Sequence, residues 1–169
     1  SSANDGVAVQ PGAVISIDLN KFQMVNDSIG HDKADSVLMD AAYRVALAAR
    51  ETDTVARIGG DNFVVLMQDL DDVSLAERAA LRVVEAFAAP FNVDERELFI
   101  SVRVGLAVYP GDGLEKGELL QKADAARQDA KGRGDNQIAF FEEQMNTQAS
   151  RRIELEGHLR QALAENALQ

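Results

Sequence analysis

Two aspartates stand at the ends of short apolar runs, where their carboxylates could bind a divalent cation. Asp18 closes the run AVISID at 13–18, and Asp61 follows a glycine pair in the run RIGGDNF at 57–63. If the strands that carry them are neighbours, the two carboxylates can approach each other and offer the hard oxygen ligands that Mg²⁺ prefers. Each aspartate alone also has a structural explanation, because strand ends and tight turns favour Asp.

Asp61 lies in a predicted β-hairpin. Apolar runs at 55–58 and 63–67 predict two short strands, and the glycine pair between them supplies the backbone freedom of a tight turn. The turn is therefore expected to hold Asp61 and Asn62 out at its tip.

The spacing of apolar residues predicts the elements around that hairpin. The expected fold is an α/β (α+β) sandwich of the ferredoxin-like type. Its central sheet contains antiparallel strands, and helices cover it mainly on one face. The other expected elements are a strand at 13–18, helices at 32–50 and 73–88, a strand at 98–108, a helix at 114–131, a strand at 136–141 and a long charged helix at 142–167.

Composition limits the classes of function open to the chain. Its 169 residues and 46% apolar content fit one domain, and a formal net charge of -11 argues against nucleic-acid binding. The absence of cysteine excludes disulfides and thiolate metal sites and fits a reducing compartment. No apolar run reaches the roughly 20 residues that span a bilayer, and the start has no signal-peptide pattern. We expect a cytoplasmic protein, or the cytoplasmic part of a larger protein that could be membrane-bound.

Several spaced motifs together resemble GGDEF domains, the diguanylate cyclase family. The motifs are IDLNKF at 17–22, VND at 25–27, GHD at 30–32 followed by Asp35, and GGDNF at 59–63. The resemblance covers 13–141, with 1–12 as a remnant before the domain. It implies a palm-type fold and a reaction in which two GTP molecules, one on each domain of a homodimer, condense to cyclic di-GMP.

The resemblance also implies roles for individual residues. Asp18, the backbone carbonyl of Leu19 and Asp61 would bind Mg²⁺ or Mn²⁺. Asn26 and Asp35 would recognise guanine, because a carboxylate accepts hydrogen bonds from the guanine N1 and N2 edge and an amide both donates and accepts. Without the resemblance, Asn26 would be a turn residue and Asp35 an acidic residue of a helix N-terminal turn.

Backbone groups near the two motifs would hold the substrate. The resemblance implies that the backbone N–H groups around Lys21, Phe22 and Gln23 cradle phosphates. Gly59 and Gly60 would also contact the substrate.

A basic loop would complete the phosphate site. In the run AKGRGDN at 130–136, Lys131 is retained as a catalytic and phosphate-binding residue, whereas Asp135 stands where the family has an arginine. Arg133 could replace that arginine from two positions away, although a solvated basic turn is an equal alternative. Just upstream, Arg127-Gln128 replaces a pair that is usually apolar-aromatic, which suggests altered packing of this helix. GTP binding is therefore expected to be weakened.

The most consequential departure is Asn62, because the family motif has a glutamate there. In similar cyclases that carboxylate helps to activate the ribose 3′-hydroxyl and can help to hold metal. An amide cannot take up that proton at neutral pH, and general-base contributions are typically about 10² to 10⁴ in rate. Little or no cyclase activity is expected from a chain with Asn62 at this position.

The run Arg50-Glu51-Thr52-Asp53 matches the family's RxxD inhibitory site for cyclic di-GMP in position and spacing. Arg50 can donate to guanine O6 and N7, and Asp53 can accept from the opposite edge. Equally, Arg50 can complement a helix C-terminus while Asp53 begins a turn. Binding of cyclic di-GMP without its synthesis would make the domain a sensor.

The segment 142–169 resembles the connector between GGDEF domains and EAL phosphodiesterase domains, so a covalently attached EAL domain is expected. The alternative is an amphipathic helix that packs on its own domain. The stretch Asp-x-Leu-Thr-Gly-Leu, with which the family usually begins, is absent before Ala13. This absence predicts a fragment of a longer protein.

Three functional hypotheses follow. The first, which we favour, is a degenerate GGDEF module (GGDNF) that binds GTP and/or cyclic di-GMP and regulates an attached EAL phosphodiesterase. The second is an active diguanylate cyclase that makes cyclic di-GMP and pyrophosphate from two GTP, supported by Asp18, Asn26, Asp35, Asp61 and Lys131. The third is a dimerisation module that binds no nucleotide.

Overall fold

The computed structural model of the chain describes residues 10–130 and 136–141. These residues form a five-stranded sheet, a separate two-stranded sheet and four helices. In chain order the elements are β1 (Gly12–Leu19), α1 (Phe22–Ile29), α2 (His31–Ala48), β2 (Thr54–Gly59), β3 (Asn62–Met67), α3 (Ser74–Ala86), β4 (Phe91–Val93), β5 (Arg96–Leu98), β6 (Val102–Tyr109), α4 (Lys116–Ala130) and β7 (Gln137–Phe140).

Strand β1 lies at the centre of the larger sheet. The strand order is β2-β3-β1-β6-β7, with β1 antiparallel to β3 and β6, and with β7 parallel to β6. Because β3 pairs with β1, the β2–β3 turn lies at the end of β1 that carries Asp18. The predicted mixed α/β architecture, with an antiparallel-containing central sheet and covering helices, is confirmed.

Helices cover both faces of this sheet, so the expectation of cover mainly on one face is wrong. Ile15 and Ile17 of β1 belong to the large core that α2 and α3 complete. Val14, which points to the other side, packs with Ala123 of α4. The physical reason is that β1 is an almost continuous apolar run, and a strand that is apolar on both faces needs cover on both.

Helix α1 is absent from the sequence prediction, although its apolar residues have helical spacing. Phe22, Val25 and Ile29 recur at the 3.6-residue period and pack against the large core. Asn26 therefore lies inside a helix, and its interpretation as a turn residue is wrong.

The predicted strand at 98–108 is also wrong at its beginning. Leu98 ends β5, and β6 begins only at Val102. The β4–β5 hairpin before it turns at Asp94 and Glu95, whose φ angles are 50° and 65°. Residues other than glycine seldom adopt this conformation, and a Glu there gives no turn signal that a sequence pattern could detect.

Candidate functional site

The C-terminal end of β1 and the β2–β3 turn form the candidate site. Gly60, with a φ of 44°, and Asp61 make the two-residue turn. The Leu19 N–H donates to the Asp61 carbonyl oxygen at 3.1 Å, which fixes the turn against the end of β1. The predicted approach of the Asp18 and Asp61 carboxylates is therefore present in the fold.

Asn62 does not stand at the tip of the turn, contrary to the sequence prediction. It is the first residue of β3 and lies opposite Asp18 in the β1–β3 ladder, with Gly59 as its partner on β2. Its side-chain oxygen Oδ1 is buried and has no hydrogen-bond partner among the described residues. The chain thus places a neutral amide beside the carboxylate of β1.

The two carboxylates of the site repel each other. Burial raises the pKa of Asp61 above its ordinary value, and the negative charge of the neighbouring Asp18 raises it further. A carboxylate pair of this kind is stabilised by positive charge.

Two arginines supply positive charge to Asp18. Arg103 Nη2 donates to Asp18 Oδ2 at 2.9 Å, and Arg127 Nη1 lies 3.2 Å from the same oxygen. Arg103 is opposite Asp18 in the β1–β6 ladder, whereas Arg127 comes from α4. The three side chains are mostly buried, with exposed fractions of 14% for Asp18 and 13% for each arginine.

Ser16 and Asp124 hold Arg127 in this position. The Ser16 hydroxyl donates to Asp124 Oδ1 at 2.6 Å and accepts a hydrogen bond from Arg127 Nε at 3.1 Å. Gly105 lies opposite Ser16 on β6, and a Cβ there would overlap the Ala123 carbonyl oxygen and the Arg127 backbone nitrogen. The close approach of α4 to the sheet, and with it the position of Arg127, therefore requires a glycine.

Part of this network is not predicted by the sequence. Ser16, Arg103 and Asp124 belong to none of the predicted sites, and Arg127 is predicted only as a change in helix packing. One usable signal is a charged residue inside the otherwise apolar strand 102–109.

The donor set at Asp18 and Asp61 fits a divalent cation poorly. Within 10–130 and 136–141, no three His, Cys, Asp or Glu side chains come together as metal ligands. Of the two carboxylates that do meet, one already binds two guanidinium groups through Oδ2. Asn62, the third polar side chain at this place, contributes no charge.

The predicted guanine-binding residues lie on two consecutive helices. Asn26 is in α1, Asp35 is in α2, and Gly30, with a φ of 85°, joins the helices. Asn26 Oδ1 is buried without a hydrogen-bond partner in the described part of the chain, whereas Asp35 is exposed. Asp32 is the acidic residue of the first turn of α2, so Asp35 lies one turn later than a helix-dipole role would place it.

Helix α1 begins at the predicted phosphate cradle. Lys21 precedes it in a left-handed conformation with a φ of 58°, and Phe22 and Gln23 are its first residues. The first N–H groups of a helix have no partner within the helix, and the helix dipole favours anions there. Phe22 is buried and anchors the segment, while Lys21 and Gln23 are exposed.

Arg50 and Asp53 bind each other. Arg50 Nε and Nη2 donate to Asp53 Oδ1 at 3.0 and 2.7 Å, and the Arg50 backbone N–H donates to Oδ2 at 2.7 Å. The Asp53 side chain has an exposed fraction of 0%, and Arg50 keeps 33%. The hydrogen bonds to Asp53 raise the pKa of Arg50. The two residues therefore form an ion pair with each other in the turn after α2.

Some predicted features lie outside the described residues. They are Lys131, Arg133 and Asp135 of the basic loop, most of the segment 1–12, and the proposed connector at 142–169. Among the helices that the structure describes, none is long and apolar enough to cross a membrane.

The chain belongs to the GGDEF family, because the model for "Diguanylate cyclase, GGDEF domain" matches residues 3–137. It is 40% identical to the bifunctional diguanylate cyclase/cyclic di-GMP phosphodiesterase MucR of Pseudomonas aeruginosa, over 92% of this chain and 23% of MucR. It is 36% identical to the cyclic di-GMP phosphodiesterase NbdA of the same organism, over 93% of this chain and 20% of NbdA. The chain thus spans less than a quarter of the length of these relatives.

Solved structures share the fold. The GGDEF domain of TpbB (YfiN) from Pseudomonas aeruginosa matches with a TM-score of 0.77 at 34% identity, over 83% of this chain and 87% of that one. An EAL/GGDEF domain protein from M. capsulatus matches with a TM-score of 0.74 at 38% identity, over 79% and 86%. The chain is therefore a GGDEF domain of the kind found in cyclic di-GMP signalling proteins, some of which also carry EAL domains. Domains of this family generally use divalent metal ions.

Proposed function

We propose that this chain is a degenerate GGDEF module that binds GTP and/or cyclic di-GMP and regulates an attached EAL phosphodiesterase. It makes little or no cyclic di-GMP. The observation that carries the proposal is the ladder pair of Asp18 and Asn62, which puts an amide where a proton acceptor is needed. The names of the relatives support it, since MucR is named for both activities and NbdA for the phosphodiesterase alone.

GTP binding rests on α1 and α2 in this proposal. Asn26 and Asp35 recognise guanine, and the buried, unpartnered Oδ1 of Asn26 supports a role as an acceptor. The N–H groups at the start of α1, from Lys21 to Gln23, hold phosphate. Gly59 and Gly60 allow close approach of the substrate, and Lys131 and Arg133 add positive charge.

A divalent cation has a weaker basis. If Mg²⁺ or Mn²⁺ accompanied GTP, Asp18, the Leu19 carbonyl and Asp61 would be its ligands, and the ion would neutralise phosphate charge. The two guanidinium groups on Asp18 oppose this binding. A weakened cation site and the amide of Asn62 both lower the expected cyclase activity.

Cyclic di-GMP binding rests on Arg50 and Asp53. Because each is bound to the other, a guanine would have to exchange their mutual hydrogen bonds for its own. The exposed part of Arg50 gives the ligand a point of access. Binding there would report cyclic di-GMP to the attached EAL domain of a cytoplasmic homodimer.

A turnover assay tests the central claim. Purified protein is incubated with GTP and Mg²⁺ or Mn²⁺, and cyclic di-GMP is quantified. We expect activity about 10² to 10⁴ below that of an intact GGDEF domain, the range that a lost general base typically accounts for. Turnover at a rate typical of the family would instead identify an active cyclase. Asn62→Glu is the matched variant, and activity gained by it would show that the remaining site is sound.

Calorimetric titration with GTP and with cyclic di-GMP tests the ligand. We expect Asp35→Ala to weaken GTP binding by about 10-fold or more, because guanine loses a charge-assisted acceptor. Asp32→Ala is the matched control, since it removes an exposed carboxylate from the same helix. Arg50→Ala is expected to remove cyclic di-GMP binding and to leave GTP binding unchanged. Absence of binding of either nucleotide to the wild type would support a dimerisation module.

A further inference from the structure

One oxygen of Asp18 contacts guanidinium groups from two different elements. Arg103 of β6 and Arg127 of α4 reach Oδ2 at 2.9 and 3.2 Å. Asp61 lies next to this group, and both the Asp18 and the Arg127 charges act on it. Asp18 and Asp61 thus lie beside two guanidinium groups, of which Arg127 also lies 3.8 Å from Asp124 Oδ1. The arginines provide the same charge that one divalent cation would provide.

The two guanidinium groups are parts of the folded frame. Arg103 is placed by the β1–β6 register, which sets it directly opposite Asp18. Arg127 is held by its hydrogen bond to Ser16 and by Asp124, whose Oδ1 lies 3.8 Å from its Nε. Burial of both arginines limits the alternative positions that their side chains can take.

These positions oppose the binding of a divalent cation. A cation at the carboxylate pair would lie close to two fixed positive charges, and repulsion is stronger in a mostly buried site than in water. Mg²⁺ also gives up its water reluctantly, so it needs strong ligands in return. The described residues supply no third acidic ligand at this place.

We propose that Arg103 and Arg127 together are the resident counter-cation of the Asp18–Asp61 pair and exclude divalent cations from it. The domain then keeps the acidic pair of a metal site in a metal-independent form. This inference extends the proposed function, but it concerns the apo protein. It is tested without nucleotide, so its failure and that of the proposed function are distinguishable.

The test is a Mn²⁺ titration of the full chain, followed by the electron paramagnetic resonance signal of free Mn²⁺. We expect no binding by the wild type up to millimolar Mn²⁺. The double variant Arg103→Ala/Arg127→Leu is expected to bind Mn²⁺ at least about 10-fold more tightly, in the range by which groups around metal ligands usually change affinity. Addition of Asp18→Asn to that variant is expected to abolish the binding.

A charge-matched control separates local competition from net charge. Arg78→Ala/Arg96→Ala removes two exposed arginines from α3 and β5 and is expected to leave Mn²⁺ binding unchanged. Circular dichroism checks that each variant is folded. If the double variant does not fold, Arg103→Ala and Arg127→Leu are titrated singly, and each is expected to gain part of the affinity. Tight binding by the wild type, or folded variants without any gain, would overturn the proposal.

Discussion

Two carboxylates of this domain are held by arginines, but over very different distances in the sequence. Asp53 binds Arg50, three residues away, in the turn that follows α2. Asp18 binds Arg103, which is 85 residues away, together with Arg127 of α4. The first pair closes a local turn, whereas the second joins three elements at the candidate site. The contacts of Asp18 with Arg103 and Arg127 therefore depend on every contact that positions β6 and α4.

The two regions also differ in electrostatic balance. The Asp53 side chain is fully buried and accepts three hydrogen bonds from Arg50, which stabilise its negative charge. Asp18 lies beside Asp61, whose pKa is raised by burial and raised further by the Asp18 charge. The Arg50–Asp53 pair stabilises the fold, whereas Asp18 and Asp61 keep some mutual repulsion although two arginines bind Asp18. Retained repulsion of this kind is typical of functional sites.

The largest effect is expected for Gly105→Ala, which disturbs the site and spares the turn. The added Cβ would overlap backbone atoms of Ala123 and Arg127, so α4 would have to move away from β6. Overpacking typically costs about 1–3 kcal/mol, and we expect about 3 kcal/mol because backbone cannot rotate away. Urea unfolding measures the change in the free energy of unfolding.

Gly117→Ala is the matched control for this variant. Gly117 lies in the same helix, and nothing stands within 4 Å of an added Cβ there. Alanine is favoured over glycine in a helix by roughly 0.5–1 kcal/mol, so this variant is expected to be slightly stabilised. Equal unfolding free energies for Gly105→Ala and the wild type would contradict the close contact of α4 with β6.

The next largest effects are expected from replacing the two arginine-bound carboxylates, Asp53 and Asp18, by asparagine. Asp53→Asn is expected to destabilise the domain by about 2–3 kcal/mol, because a buried amide group would face donors of Arg50 and the charge-assisted bonds are lost. Asp18→Asn is expected to cost less, about 1 kcal/mol, because it also relieves the repulsion with Asp61. Both free energies of unfolding come from urea titrations at neutral pH. A larger cost for Asp18→Asn would reverse the proposed order of the two regions.

Local sequence patterns predict the Arg50–Asp53 motif and the hairpin that carries Asp61. The RxxD motif places Arg50 and Asp53 within reach by spacing alone, although it leaves open whether they bind a ligand or close a turn. The glycine pair and the apolar runs likewise predict the hairpin and the approach of Asp61 to Asp18. Each of these features depends on a few consecutive residues and on the pairing of neighbouring strands.

The arginine contacts at Asp18 depend on information that a local pattern does not contain. A shift of the β1–β6 register by one residue would move Arg103 to the other face of the sheet. Arg127 reaches the site because Gly105 allows α4 to approach. The position of Asn62 also depends on strand pairing. Its place opposite Asp18 is set by the β1–β3 register, which the local sequence does not contain.

The smallest effect is expected from divalent cations. A ligand that binds only the folded state raises its stability by RT ln(1 + [L]/Kd), so an excluded cation leaves the thermal midpoint unchanged. We expect equal midpoints for the wild type in millimolar Mg²⁺ and in chelator, with sodium chloride matching the ionic strength. Asp53 and Asp18 are both already bound by arginine, Asp53 by Arg50 and Asp18 by Arg103 and Arg127. If Mg²⁺ raised the midpoint and Asp18→Asn removed that increase, a cation would be able to displace Arg103 and Arg127 from Asp18. Such a result would contradict the exclusion of divalent cations from the site.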